Sequence, residues 1–227
     1  MPTDSPMASL VEPEKPKLAD WAYGELRRYI IEGVLPPGTR LVESKITESL
    51  RISRTPLREA LRRLEQEGLL ERHLGGGLRV TDVSMDEIHE IMDMRALLEG
   101  HCAALAAAGI SAGEMAQLVQ AHHEAERAIH SHDLAALTEA NTQFHEGIVG
   151  AARAPRFTAI IDGIRESVLR FRSEALSDEL TRQHSFEQHT EILRLLQAGD
   201  ATGVEALMRE HIRDIEKHLT STRRGTS

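Results

Sequence analysis

Residues 53 to 70, Ser-Arg-Thr-Pro-Leu-Arg-Glu-Ala-Leu-Arg-Arg-Leu-Glu-Gln-Glu-Gly-Leu-Leu, constrain the chain more than any other stretch. Arginines at 54, 58 and 62 recur every four residues, which on a helix sets three guanidiniums along one face. Leu57, Leu61, Leu64 and Leu69 supply the opposite, core-facing side. A cationic ridge backed by an apolar stripe suits a helix that docks on a small core and lies in a DNA groove. The rest of the chain must supply that core. Aromatic residues make up only 3% of the sequence and hydrophobic residues 41%, so the interior is Leu, Ile, Ala and Val. That composition favours packed helices over a β-sandwich.

The formal net charge of −9 argues at first against nucleic acid, but its distribution does not. Residues 1–82 carry 13 basic and 13 acidic side chains, and residues 83–227 carry 14 and 23. All the excess acid lies in the second part, which phosphate would repel and which should stand away from a duplex. Within 40–72 there are 8 basic and 6 acidic residues, and a DNA reader needs a local cationic face rather than a basic chain. The single cysteine, Cys102, excludes an internal disulfide framework and fits a reducing cytoplasm. No run of 18 apolar residues is present, so no membrane span is expected. Residues 1–17 have prolines and mixed charge without an apolar core, which reads as a flexible tail rather than a signal peptide.

Periodicity divides the remainder. A first helix is predicted over Leu18–Glu32 with Trp21, Leu26, Tyr29 and Ile30 inward, stopped by Gly33. Leu35-Pro36-Pro37-Gly38-Thr39 is a turn. A short helix over Glu43–Leu50 precedes the arginine helix, which begins within Ser53–Pro56 and ends near Gly68. Leu69–Leu74 and Leu78–Val80 read as strands joined by Gly75-Gly76-Gly77. Helix, turn, helix and a glycine-tipped hairpin form a winged helix-turn-helix over 18–83. Ser84-Met85-Asp86-Glu87 and Ser111-Ala112-Gly113-Glu114 are capping boxes that open long helices, and Asp133 caps a third. Further helices are expected over Phe157–Leu176, Asp178–Gln197 and from Asp200 to about Thr220. The fold class is mainly α: an N-terminal winged helix-turn-helix, then an antiparallel bundle of six to seven helices over 84–221 and a tail at 222–227.

Pro36-Pro37-Gly38-Thr39-Arg40-Leu41, Ser53-Arg54-Thr55-Pro56-Leu57-Arg58-Glu59-Ala60-Leu61 and Glu67-Gly68-Leu69-Leu70 together resemble the GntR family of bacterial transcription regulators. The second part resembles the all-helical FCD effector domain of its FadR-type subgroup, through Arg95, Glu99, Phe144-His145, His189, Gly199-Asp200 and His211. The resemblance implies that Arg54, Thr55 and Arg58 face the major groove and that the glycine-rich wing tip reaches the minor groove, with Ser53 and Gly76 among the DNA-binding residues. Arg54 or Arg58 can make a two-pronged contact to guanine. Thr55 and the helix N-terminal amides can hold a phosphate. Arg40, Lys45 and Arg72 are candidates for backbone contacts. The bland alternative is that these arginines pair with Glu59, Glu65 and Glu67 on a solvated face.

The second part holds 11 of the 12 histidines. His122, His123, His130, His132 and His184 are expected at the surface. His145, with Leu137, Asn141, Phe144 and Ile148, follows an inward stripe; so does His189, with Phe186, Leu193 and Leu196; so does His211, with Val204, Leu207, Met208, Ile212 and Ile215. Three imidazoles on apolar faces of three helices are costly unless something satisfies their nitrogens. A divalent metal does so, and Asn141, one turn before His145, can add its amide oxygen. The FCD resemblance implies the same site, with Asn141 where Asp is common. Zinc or nickel fits three nitrogens and an oxygen.

Arg95 lies on the inward stripe Ile88, Ile91, Met92, Leu98, Cys102, so it pairs either with Glu99 or with an anionic effector beside the metal. Among Arg165, Arg170 and Arg172, Arg170 is taken as a second effector contact. The expectation is thus a homodimeric, cytoplasmic regulator, a repressor by family habit, that reads a palindromic operator in double-stranded DNA. It answers to a small carboxylate held next to the metal. Two alternatives stay open: a metal-free acyl-CoA sensor, and a metal-dependent enzyme, for which no His-Glu-x-x-His run or paired general base is present.

Overall fold

A computed structural model describes residues 16–31, 33–73, 76–82 and 84–224. Of the tail expected at 1–17, Pro16 and Lys17 instead belong to the first helix, and residues 1–15, with Glu32, Leu74, Gly75, Val83 and residues 225–227, lie outside the described residues.

Helix α1 (Pro16–Ile31) buries Ala19, Ala22, Leu26 and Ile30, one face of a 3.6-residue period. Trp21, expected inward, is 46% exposed. It precedes Ala22 by one residue and so stands about 100° off the buried stripe. Helix α2 (Glu43–Leu50) ends at Arg51, which adopts a left-handed conformation at φ 54°. Helix α3 (Arg54–Gln66) buries Leu57, Ala60, Leu61 and Leu64, and Gly68 at φ 73° turns the chain out of it.

Three short strands complete the wing: β1 (Arg40–Leu41), β2 (Leu70–Arg72) and β3 (Leu78–Val80), antiparallel in the order β1-β3-β2. The hairpin β2–β3 follows the glycine run; β1 is an element the sequence did not announce, because two residues carry no alternation to read. Leu26, Ile30, Leu41, Ile52, Leu57, Leu64, Leu70 and Val80 close one small core around this unit.

Among the described residues, the second unit is a bundle of seven helices. Helix α4 (Met85–Ala107) opens with the Ser84/Glu87 capping box and α5 (Ala112–Ser131) with the Ser111/Glu114 box, both formed as expected. Asp133 caps α6 (Leu134–Ala151), accepting from the Ala136 amide at 2.9 Å. The single helix expected over 157–176 is instead two, α7 (Pro155–Gly163) and α8 (Arg165–Ser177). The break falls at Ile164, with φ −109° and ψ 6°. Gly163 is a poor helix former, and the β-branched Ile160 and Ile161 before it add little to propagation.

Asp178 caps α9 (Glu179–Ala198), and Gly199 at φ 67° separates it from α10 (Ala201–Arg224). Thus α10 continues past the expected end near Thr220. It packs along α4, and α5 lies on α6. The close pass of α10 over α4 needs Gly100: a Cβ there would stand 2.7 Å from Arg209 Cγ. The core runs through Ile88, Met92, Phe144, Ile148, Phe171, Ile192, Leu196, Met208 and Ile212.

Candidate metal centre and nucleic-acid interface

On the winged unit the ridge of α3 stays outward. Arg54, Thr55, Arg58 and Arg62 are exposed, as is Lys45 on α2. Ser53 holds the N-cap position with extended backbone, and its side chain makes no capping bond. Arg58 Nε donates to Glu43 Oε2 at 3.0 Å, and Arg72 Nε to Glu65 Oε1 at 2.7 Å. Arg40 Nη2 donates to the Gly76 carbonyl at 3.2 Å, tying β1 to the wing tip, where Gly76 and Gly77 have φ of 83° and 89°. Arg58, Arg62 and Arg72 line one groove between α3 and the wing. Of the carboxylates expected to neutralise the ridge, Glu65 takes Arg72, Glu67 instead accepts from Tyr23, and Arg58 finds Glu43 on α2. These are rim contacts, each worth about 0–1 kcal/mol.

In the bundle, His145 on α6, His189 on α9 and His211 on α10 come together, all buried, and their ligating nitrogens lie within 4.8 Å of one another. His189 Nε2 and His211 Nε2 are 3.3 Å apart. Two imidazole nitrogens on one tetrahedral zinc, each about 2.0–2.1 Å from it, stand about 3.3 Å apart. Second partners orient the rings. His145 Nδ1 donates to Glu99 Oε2 at 2.7 Å. His211 Nδ1 donates to Gln188 Oε1 at 2.9 Å, and Gln188 Nε2 donates onward to Asp214 at 3.0 Å, which sets the amide's orientation. Both rings therefore keep Nε2 as the lone-pair nitrogen, the outer-shell pattern of histidine ligands. Phe144 stacks on His189 at 4.2 Å between centroids. Asn141 is buried one turn before His145 on α6.

Burial drives the three imidazoles toward the neutral, metal-binding form. His145 is lowered to about 4, chiefly by burial against the opposing pull of Glu99. His189 and His211 are lowered well below the usual histidine range by burial and then by their neighbouring histidines. The donor set, three neutral imidazole nitrogens, fits a first-row divalent ion. Without one, the single N–H that His189 aims at the cluster could satisfy at most one of the two facing lone pairs.

Arg95 resolves on the side of Glu99: its Nε donates to Glu99 Oε1 at 2.7 Å, with both groups buried. Burial alone would raise the Glu99 pKa, but Arg95 and His145 hold it well below the usual carboxylate range. A cavity of about 150 Å³ adjoins His145. Its inner end presents Glu99, Thr142 and Arg172, and its walls are Val149 from α6, Ile161 from α7, and Val168 and Leu169 from α8. Arg172, not Arg95, is the guanidinium on this cavity; its Nη1 donates to Thr142 Oγ1 at 2.8 Å. The side chain of Arg170 lies outside the described residues.

Sequence reasoning missed Gln188, whose only signal is its place beside His189. It saw Glu99 solely as a partner for Arg95. His122, expected at the surface, is half-buried and stacks on Phe186 at 4.2 Å. His123, His130, His132 and His184 are exposed as expected.

Comparisons with known proteins converge on the same division. Residues 18–80 match the bacterial regulatory proteins of the GntR family, and residues 90–214 match the FCD domain. The HTH-type transcriptional repressor RspR of Escherichia coli K12 is 28% identical over 90% of both chains. The Uxu operon transcriptional regulator of the same strain is 28% identical over 86% of this chain and 83% of its own. Among solved structures, E. coli McbR/YncC superposes with a TM-score of 0.75 at 23% identity, covering 91% of this chain and 98% of the other. No helix among the described residues is long and apolar enough to cross a membrane.

Proposed function

Because the chain belongs to the GntR family of bacterial DNA-binding transcription regulators and carries an FCD domain, we propose that it is a metal- and carboxylate-responsive repressor. It works in the cytoplasm as a homodimer that presents two winged units to a palindromic operator. The expected units, 18–83 and 84–221, are opened by α1 from Pro16 and closed by α10 at Arg224, and they meet between Asp82 and Ser84. Arg54, Thr55 and Arg58 enter the major groove, Ser53 meets a phosphate at the α3 N-terminus, and Arg40, Lys45 and Gly76 contact backbone and minor groove. His145, His189 and His211, with Asn141, hold zinc or nickel. The bound ion would supply a Lewis-acidic, positively charged centre for a carboxylate.

The effector role expected of Arg95 passes to Arg172, which borders the cavity while Arg95 serves to fix Glu99; Arg170 keeps its expected role, its side chain lying outside the described residues. Glu99 in turn orients His145. The observation that carries this reading is the convergence of three buried imidazoles, two of them anchored at Nδ1, beside a cavity. A volume of about 150 Å³, enough for a benzene-sized guest, supports a small acid over an acyl-CoA. The relatives' names, a transcriptional repressor and an operon regulator, support transcription regulation over turnover.

Metal analysis of protein purified without chelator tests the reading. One equivalent of ion is expected per chain, with loss of the ion and a lower melting temperature in His189→Ala. Metal-free protein after purification and after zinc or nickel addition would end it.

A further inference from the structure

His145 and His211 are both anchored through Nδ1, and the anchors differ in kind. Glu99 meets His145 with a carboxylate, which only accepts, so the proton sits on Nδ1 whichever oxygen faces the ring. Gln188 meets His211 with an amide, an acceptor on one side and a donor on the other. Its two orientations have the same shape and opposite consequences. With Oε1 toward the ring, His211 donates from Nδ1 and offers the Nε2 lone pair to the cluster. With Nε2 toward the ring, His211 must accept at Nδ1; its proton then sits on Nε2, which no longer ligates.

Asp214 decides between them. Its Oδ2 accepts from Gln188 Nε2 at 3.0 Å, and a carboxylate has nothing to donate to an amide oxygen. Lys217 Nζ donates to Oδ1 at 2.8 Å, and His184 Nε2 lies 3.2 Å from Oδ2, so the carboxylate is itself held from both sides. These groups share one seam. His184 and Gln188 stand on successive turns of α9, and His211, Asp214 and Lys217 follow one another at intervals of three on α10. Gln188 and His211 are buried, whereas Asp214 is only partly so. The orientation of a buried ring is therefore set from the rim of the bundle.

Resting on the metal reading above, we propose that Asp214 is a positioning residue for metal binding: acting through Gln188, it holds His211 in the one tautomer that can take an ion. The relay from Asp214 through Gln188 to His211 does with an interposed amide what Glu99 does for His145 by direct contact. It also polarises the amide toward the ring, which strengthens Nε2 as a ligand.

Two readouts on the full-length protein test this: the imidazole nitrogen chemical shifts of the metal-free form, and zinc and nickel affinities by chelator competition. In the natural sequence His211 should carry its proton on Nδ1 alone. Asp214→Ala should populate both tautomers and weaken metal binding about tenfold or more, the usual effect of losing an outer partner of a histidine ligand. Gln188→Glu supplies the carboxylate directly. Adding Asp214→Ala to it should leave the tautomer unchanged and metal affinity within about threefold, since the two residues act through one path. A merely structural Asp214 would cost stability alike in both backgrounds and leave the tautomer alone. His211 still protonated solely on Nδ1 in Asp214→Ala, or an equal loss of metal affinity in the Gln188→Glu background, overturns the relay while the metal site stands. A natural protein that takes up neither ion overturns the metal reading and this role with it. Should Asp214→Ala fail to fold, Asp214→Asn, which keeps the size but can turn either amide edge to Gln188, replaces it with the same expected mixture of tautomers.

Discussion

Arg58 meets a carboxylate, Glu43, and on the proposed reading DNA would have to take it away. Its pair with Glu43 is exposed on both sides, so release costs about 0–1 kcal/mol. A two-pronged contact to guanine contributes more, and Arg58→Ala or Arg54→Ala should weaken operator binding by about 1–3 kcal/mol and blur base preference. Titration of operator and single-base variants checks this; unchanged affinity and preference would remove both residues from the groove. The buried histidines give a second residue-scale expectation. The folded-state pKa of His145, about 4, lies below the ordinary value of 6.5. The unfolded chain therefore binds more protons between those values, and stability present above about 6.5 is lost as pH falls toward 4. Urea melts of chelator-treated protein should show a lower midpoint at pH 5 than at pH 7.5, and equal midpoints would contradict the burial of neutral imidazoles. The three histidines were legible because each lies on an apolar stripe of its own helix. Arg95 was ambiguous because an i,i+4 carboxylate and an external anion look alike in sequence; only coordinates show that Glu99 spans Arg95 and His145.

At the scale of elements, local signals were read well where they are chemical and poorly where they are geometric. Both capping boxes, the Asp133 cap and the Gly199 stop have the hydrogen bonds or left-handed backbone that their residue types announce. The division of α7 from α8 was missed because Gly163 and the residues before it only weaken a helix, and tertiary packing chooses where it breaks. That division lets α7 contribute Ile161 and α8 contribute Arg172 to one cavity. Gly100 makes a comparable demand between elements. A Cβ at this position would press on Arg209 Cγ and lie 3.3 Å from the Glu205 carbonyl oxygen, so the two helices would have to part. Gly100→Val should cost about 1–3 kcal/mol, the usual range for overpacking. Because α10 carries His211 along the same contact, metal affinity should fall with it. Calorimetry and metal competition on this variant would show a stable, fully metal-loaded protein if the close pass were unimportant.

For the whole molecule, regulation requires that an event beside His145 be felt by the winged unit. The fold offers a short path. A second groove of about 980 Å³ lies between α1 and the bundle, lined by Tyr23, Arg27 and Ile31 on one side and by Thr138, Leu169 and Ser173 on the other. Thr142, Glu146 and Leu169 border both this groove and the cavity beside His145, and α8 touches α1 directly. One layer of side chains thus separates the two spaces. On the proposed reading, an occupant that braces Arg172 and Leu169 from within would hold α8 in one position, and α1 belongs to the core that carries α3. The ligand shifts operator affinity only by its preference for one placement of α8 over the other. Leu169→Ala removes the larger apolar part of that partition without touching α3 or the histidines. Operator binding in the absence of metal and acid should stay near the natural level. The change produced by metal with acid, about 5–150-fold for a typical coupled regulator, should shrink toward unity. Paired operator titrations, with metal and acid affinities measured on the same variant, separate lost coupling from lost binding. A variant that binds both ligands and still shifts its operator affinity in full would move the signal to another route.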